Sequence, residues 1–318
     1  MIDFRYHLVS IVAVFLALAV GIVLGTAAAN GPVLDNLRGN IAGLTNEKRG
    51  LEDSVRDLQG RVDGSEEFAR IVAPSLLAGV LPGQKIVLVQ APGASTSLVT
   101  DLAPLFTQAG ATVVARVQLR EALLDPGSSR LLDDLVTKVR TPGLTLPEGE
   151  PVDRAAVQLA AALVRRPGTT PLTADAAAGV LAAYREADLV DVDAPAGAAA
   201  VSTATLAVIV TGSPEGGPLD ADGESRRRAV LSVARALEIR SRGVVVAGPV
   251  DAAKEGGVLQ ALRADGELGA QITSVDSADT DAGGIAVVLA LREQANGGAG
   301  SYGSGPGADA AVPSLARR

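Results

Sequence analysis

Between Leu8 and Ala29 the chain runs for 22 residues without a charge, LVSIVAVFLALAVGIVLGTAAA. As a helix this segment is about 33 Å long, enough to cross a hydrocarbon core of about 30 Å. The apolar region of a secretion signal is shorter, about 7 to 15 residues, and follows a basic stretch. Here the preceding MIDFRYH holds one Arg and one Asp. Length therefore favours a retained anchor, while Ala27-x-Ala29 keeps cleavage open. Ala13, Ala17, Gly21, Gly25 and Ala29 recur every fourth position and share one helix face. Gly21 and Gly25 form a G-x-x-x-G, which in lipid lets two backbones approach closely and makes the face a candidate contact for a second copy. The same residues are also simply common in such segments, and that reading stays open. Arg5 before the span and Arg38 after it balance, so the α-amino group tips residues 1–7 to the cytoplasm and the rest of the chain outside it.

Gly31-Pro32 is expected to break the helix at the membrane surface, with Pro32 in the first turn of a new one. A heptad pattern follows. Leu34, Ile41, Lys48, Val55 and Val62 fall at a, and Leu37, Leu44, Leu51 and Leu58 at d. Branched residues at a with Leu at d favour a parallel dimeric coiled coil, and one Lys at a central a position disfavours higher oligomers. Two chains anchored by the same N-terminal span must also run parallel. The alternative is a single amphipathic helix lying on its own domain. Within a coil over residues 30–65, the 29 residues from Leu34 to Val62 would hold the following domain about 43 Å beyond the bilayer.

After Gly64 the heptads stop. QKIVLVQ (84–90), ATVVARV (111–117), TLAVIVTG (205–212), GVVVAGP (243–249) and QITSVD (271–276) read as strands. Helical patterns lie between them, near 95–109, 129–139, 152–166, 173–185, 224–239 and 251–265. The apolar stretch 285–291 can be read as helix or strand, and Asp279, Thr280 and Asp281 as caps before it favour helix. Alternating strands and helices with apolar strands imply an α/β, mostly parallel sheet covered on both faces, a Rossmann-like domain over 66–296. The Gly-rich tail 297–318 is expected to be disordered.

The chemistry-bearing residues are few. The chain has no Cys, one His (His7), one Met, and a formal net charge of −8 with no basic cluster, which argues against nucleic-acid binding. No Cys nucleophile exists, and the domain has no His base. We therefore assign no catalytic residue, no cofactor site and no metal site, and expect the protein not to be an enzyme. In a doubly wound sheet ligands sit beyond the carboxyl ends of strands. The turns there, Gln90–Ser95 and Thr211–Gly217, lack dinucleotide or P-loop patterns, and Pro92 removes an N–H, so each reads first as a plain βα loop. The trio Asp276, Asp279 and Asp281 can be written as an oxygen site for a hard cation, but capping and solvation account for it. Soft ligands for Cu(I) are missing from the domain.

The N-terminal LVSIVAVFLALAVGIVLG, the coil directly behind it, VIVTG (208–212) and NGGAGSYGSGPGA (296–308) resemble the MctB family of actinobacterial copper transporters, in the same order over almost the whole chain. The resemblance implies a cell-envelope protein of a channel-like kind that limits copper accumulation. It also implies kinship with SteB-like proteins that act with a partner in division and envelope maintenance. It carries no catalytic or copper-binding residue onto this chain. Two expectations follow: a role in copper efflux or homeostasis, with copper as a partner by resemblance only, or a non-transporting dimeric scaffold that docks an envelope or division partner. One span cannot enclose a pore, so copper would pass only through an oligomer or be affected indirectly.

Overall fold

The computed structural model describes residues 4–139, 141–194, 204–214 and 220–314. The chain divides into two compact units, Met1–Ser65 and Glu66–Arg318. Helix α1, Phe4–Leu77, begins in the first and ends in the second.

In the first unit, Arg5–Thr26 is the one helical stretch among the described residues long and apolar enough to cross a membrane, and none of it is buried. A buried core helix passes the same test of length, and its absence of packing separates this segment from one. The break expected at Gly31-Pro32 does not occur, because α1 is continuous across both residues. A proline inside a helix withholds one N–H from the carbonyl four residues back, a local cost of about 3 kcal/mol. Ala27 to Ala29 before it and the leucine-rich heptads after it keep the helix going.

In the second unit the last turns of α1 bury Ala69, Ala73 and Leu77, spaced every fourth residue on one edge. Strands β1 (Lys85–Gln90), β2 (Thr112–Leu119), β3 (Val190–Asp193), β4 (Leu206–Val210), β5 (Val244–Ala247), β6 (Thr273–Val275) and β7 (Ser301–Tyr302) form one sheet. Its order is β3-β2-β1-β4-β5-β6-β7. Every pairing is parallel except β2 with β3. The helices are α2 (Thr96–Gln108), α3 (Glu121–Leu124), α4 (Ser129–Lys138), α5 (Pro151–Leu163), α6 (Ala174–Glu186), α7 (Ala221–Arg240), α8 (Val258–Ala264) and α9 (Asp281–Ala295).

Successive strand residues point to opposite faces, so an all-apolar strand must be covered on both. In β1, Val87 and Val89 join the cluster formed with α3 to α8, while Ile86 and Leu88 join the one formed with α2, α9 and the end of α1. β4 is buried at every position. Two pairs of polar groups caught inside satisfy each other: Tyr184 donates to Gln158 Oε1 at 2.9 Å, and Gln294 donates to Thr273 Oγ1 at 2.9 Å. Burial with no charged partner pushes the Tyr184 hydroxyl well above the usual phenol range.

Two local expectations need correction, and one strand was not anticipated. The helix expected over 251–265 is a 3-10 turn, Val250–Ala253, followed by the shorter α8, because Gly256 takes a φ of +83° between them. The short acidic VDVD of β3 pairs antiparallel at the sheet edge. The tail expected to be disordered is placed through Ser314, with β7 parallel to β6. Thr280 caps α9 as expected, its hydroxyl accepting from Gly283 N at 2.9 Å.

Candidate functional site

The residues singled out for self-association lie on the first unit. A Cβ at Gly21 or Gly25 would meet nothing within 4 Å, so no neighbour within the chain occupies that face. Leu37, Ile41, Leu44, Leu51, Val55, Leu58 and Val62 are each 51–65% exposed. Lys48 reaches along its own helix to Glu52 at 3.5 Å. The side chain of Leu34 lies outside the described residues. The first unit thus presents an unpartnered apolar row at the expected spacing.

In the second unit the carboxyl edge of the sheet holds two constructions. The first is where β1 and β4 run side by side. The chain leaves β1 towards β2 and leaves β4 towards β5, so the loops after these two strands diverge and open a crevice. The turns Ala91–Gly93 and Thr211–Pro214, which sequence reading treats separately, face each other here, joined by Glu121 and Leu124, the first turns of α7, and Gly256–Val258. The cavity is about 320 Å³. Residues 215–217 of the expected second turn lie outside the described residues. Gly212 is required by crowding, since a Cβ there would overlap the carbonyl of Gly93. Arg227 is bound by both Glu224 oxygens, at 2.9 and 2.7 Å.

The second construction closes over the end of β6. Asp276 is 0% exposed and pairs with Arg263 at 2.9 Å, whose side chain is 6% exposed. Its Oδ1 accepts from the amides of Ser304 at 2.7 Å and Gly305 at 3.0 Å and from the Ser277 hydroxyl at 2.9 Å. Arg263 also donates to Tyr302 O at 2.9 Å and Pro306 O at 2.7 Å. Burial pushes the Asp276 carboxyl up, but these amides, the hydroxyl and Arg263 together outweigh it and hold it below the usual carboxylate range. The tail glycines now have a reason. Gly303 has a φ of +125°, and a Cβ there would overlap the carboxylate itself. The stretch Gly300-Ser301-Tyr302-Gly303-Ser304-Gly305 wraps a buried charge and is ordered by it. The signal in the sequence was small residues at alternate positions of a tail whose one aromatic, Tyr302, is buried.

The acidic trio does not converge on a cation. Asp276 is taken by Arg263, Asp281 by Arg70 at 2.7 Å, and Asp279 is exposed. Among the described residues no group of three or more His, Cys, Asp and Glu can hold a metal ion. Away from the carboxyl edge, a wider groove of about 650 Å³ runs beside α7, walled by Leu146, Val157, Leu231 and Ile239. Its Arg235 faces Asp265 and Glu267, at 4.0 and 3.8 Å.

Residues 1–313 match the family described as copper transport outer membrane protein, MctB. Proteins of Mycobacterium tuberculosis and Mycobacterium bovis named copper transporter MctB are 31% identical over 314 residues, covering 97% of this chain and 98% of each relative. A protein of the same name from Mycobacterium leprae is 29% identical over the same length and shares.

Proposed function

The chain belongs to the MctB family, and from that membership we propose that it serves copper homeostasis at the cell envelope as a membrane-anchored protein. The observation that carries this reading is the family match along the chain, apolar helix and Gly-rich tail included. Arg5–Thr26 supplies the anchor, and the charge balance around it supports an extracytoplasmic location for the sheet domain. We take the exposed row from Leu37 to Val62, with Leu34 and Lys48 at its a positions, as the seam of a parallel homodimeric coiled coil. Gly21 and Gly25 extend the contact into lipid. Tethering in one membrane raises the effective concentration of the two helices.

Copper enters this scheme as cargo handled by an assembly. Cu(I) prefers thiolate, thioether and imidazole donors, and the chain offers no Cys, one Met and one His. One span encloses no pore. That shortage of soft donors favours a second reading, in which the dimer is a scaffold that docks an envelope or division partner and alters copper load through it.

Both readings are tested by deleting the protein and measuring cell-associated copper. The full chain should restore the normal load. The variant Leu44→Asp with Leu51→Asp should not, and should lose the dimer mass in detergent. Unchanged copper on deletion overturns the homeostasis role, and an unchanged dimer in the variant overturns the seam.

A further inference from the structure

The crevice between β1 and β4 has a donor inventory that the described residues leave unused. The amides of Gly93, Gly212 and Ser213 make no hydrogen bond among the described residues. Thr211 is only 3% exposed, yet its hydroxyl makes no hydrogen bond among the described residues. A Cβ on Gly248 would fall 2.9 Å from the Thr211 methyl, so the methyl is turned towards β5 and the hydroxyl is the branch left to the crevice. Arg226 lines the same cavity and forms no ion pair among the described residues. Arg227, committed to Glu224 through Nη2, keeps a buried Nε with no acceptor. Buried donors normally find partners, and the side chains of Thr211 and Arg227 hold two without one beside a single cavity, whose more open wall adds the amides of Gly93, Gly212 and Ser213 and the Arg226 side chain; together they mark a place for an acceptor from outside the chain.

We propose that this crevice binds a small phosphorylated metabolite, with the phosphate held by Arg226, the Thr211 hydroxyl and the amides of Gly93, Gly212 and Ser213. Backbone N–H groups converging from turns form an anion-binding concavity. Three amides, a hydroxyl and a guanidinium are more donors than the two oxygens of a carboxylate engage, and they suit the three free oxygens of a phosphate ester. Among the described residues Glu121 is the carboxylate that lines the cavity. It disfavours a second negative group and suits hydroxyls on the rest of the ligand. At about 320 Å³ the site admits a phosphorylated polyol or sugar rather than a dinucleotide. This binding is independent of the copper reading and of the seam.

The test uses the full chain in detergent micelles, with glycerol phosphate as probe and malonate and chloride at matched ionic strength as controls. Phosphorus NMR line broadening reads binding directly, and thermal unfolding reads it by linkage. The glycerol phosphate line should broaden and the melting temperature of the protein should rise, while malonate should leave the melting temperature unchanged. Arg226→Gln should weaken binding about ten- to a hundredfold, the loss of a charge-assisted contact. Thr211→Val, of nearly the same shape, should weaken it several-fold. Because Arg226 is only partly buried, its variant keeps the test valid if the threonine variant fails to fold. No broadening with the natural chain at tens of millimolar overturns the proposal, as does an equal response to malonate or natural affinity in Arg226→Gln.

Discussion

Replacing Asp276 with Asn keeps the shape of the side chain and removes its charge. In the folded protein that charge accepts from Ser304 N, Gly305 N and Ser277 Oγ and faces Arg263 at 2.9 Å, with both side chains out of solvent. Breaking such a pair from one side leaves the other charge buried without compensation, at a cost of about 3–5 kcal/mol. The asparagine carbonyl can still accept one amide, but its NH₂ turns donors towards donors, so little of that cost is recovered. For a domain of this size about 2–4 °C of melting temperature goes with each kcal/mol, which puts the drop on the order of 10 °C. The C-terminal segment should also become accessible to protease while the rest of the sheet domain stays resistant. The pH dependence has a definite sign. The carboxyl is held below its ordinary value in the folded state, so the unfolded chain binds the proton first. The stabilisation is therefore complete above about pH 5, and is lost as pH falls below about 3.9 and through the folded value. Thermal unfolding of the natural chain and the variant at several pH values measures both effects. A difference within about 0.5 kcal/mol at pH 7, or one that grows on acidification, refutes the reasoning.

Other substitutions test the packing around the two constructions. Gly212→Ala should lower the urea midpoint by the equivalent of about 1–3 kcal/mol, because its Cβ would overlap the Gly93 carbonyl; an unchanged midpoint would deny that close approach. Thr280→Ala should cost about 1 kcal/mol in chemical unfolding by removing the cap on Gly283 N, and Thr280→Ser should restore most of it. Tyr184→Phe should cost about 1–3 kcal/mol because Gln158 Oε1 stays buried and loses the hydroxyl; adding Gln158→Leu should bring stability part of the way back.

Much of the architecture is readable from the chain because it is written in local periods. An uncharged run of 22 residues marks a membrane-length helix, alternate spacings of three and four mark a helix seam, and short runs such as KIVLVQ and LAVIV mark strands that must be covered on both faces. Each of these depends on residues within a turn or two of one another. The elements that escaped are those whose reason lies elsewhere in the chain. VDVD becomes a strand by borrowing the edge of β2, some seventy residues earlier. The Gly-rich tail looks like a sequence too poor to fold, and is ordered because Asp276, nearly thirty residues before Ser304, needs donors.

The candidate crevice belongs wholly to this second kind. The turns at Gly93 and Thr211 are unremarkable singly, and neither carries a phosphate-binding motif. Strand order sets them against each other and turns the Thr211 hydroxyl and Arg226 to one cavity. The sequence by itself thus determined where the chain is greasy, helical or extended, since those properties follow from side chains acting on their own backbone. Which loops meet, which buried charge finds a partner and which donors are left over were decided only by tertiary structure, because they are relations between segments that no local pattern encodes.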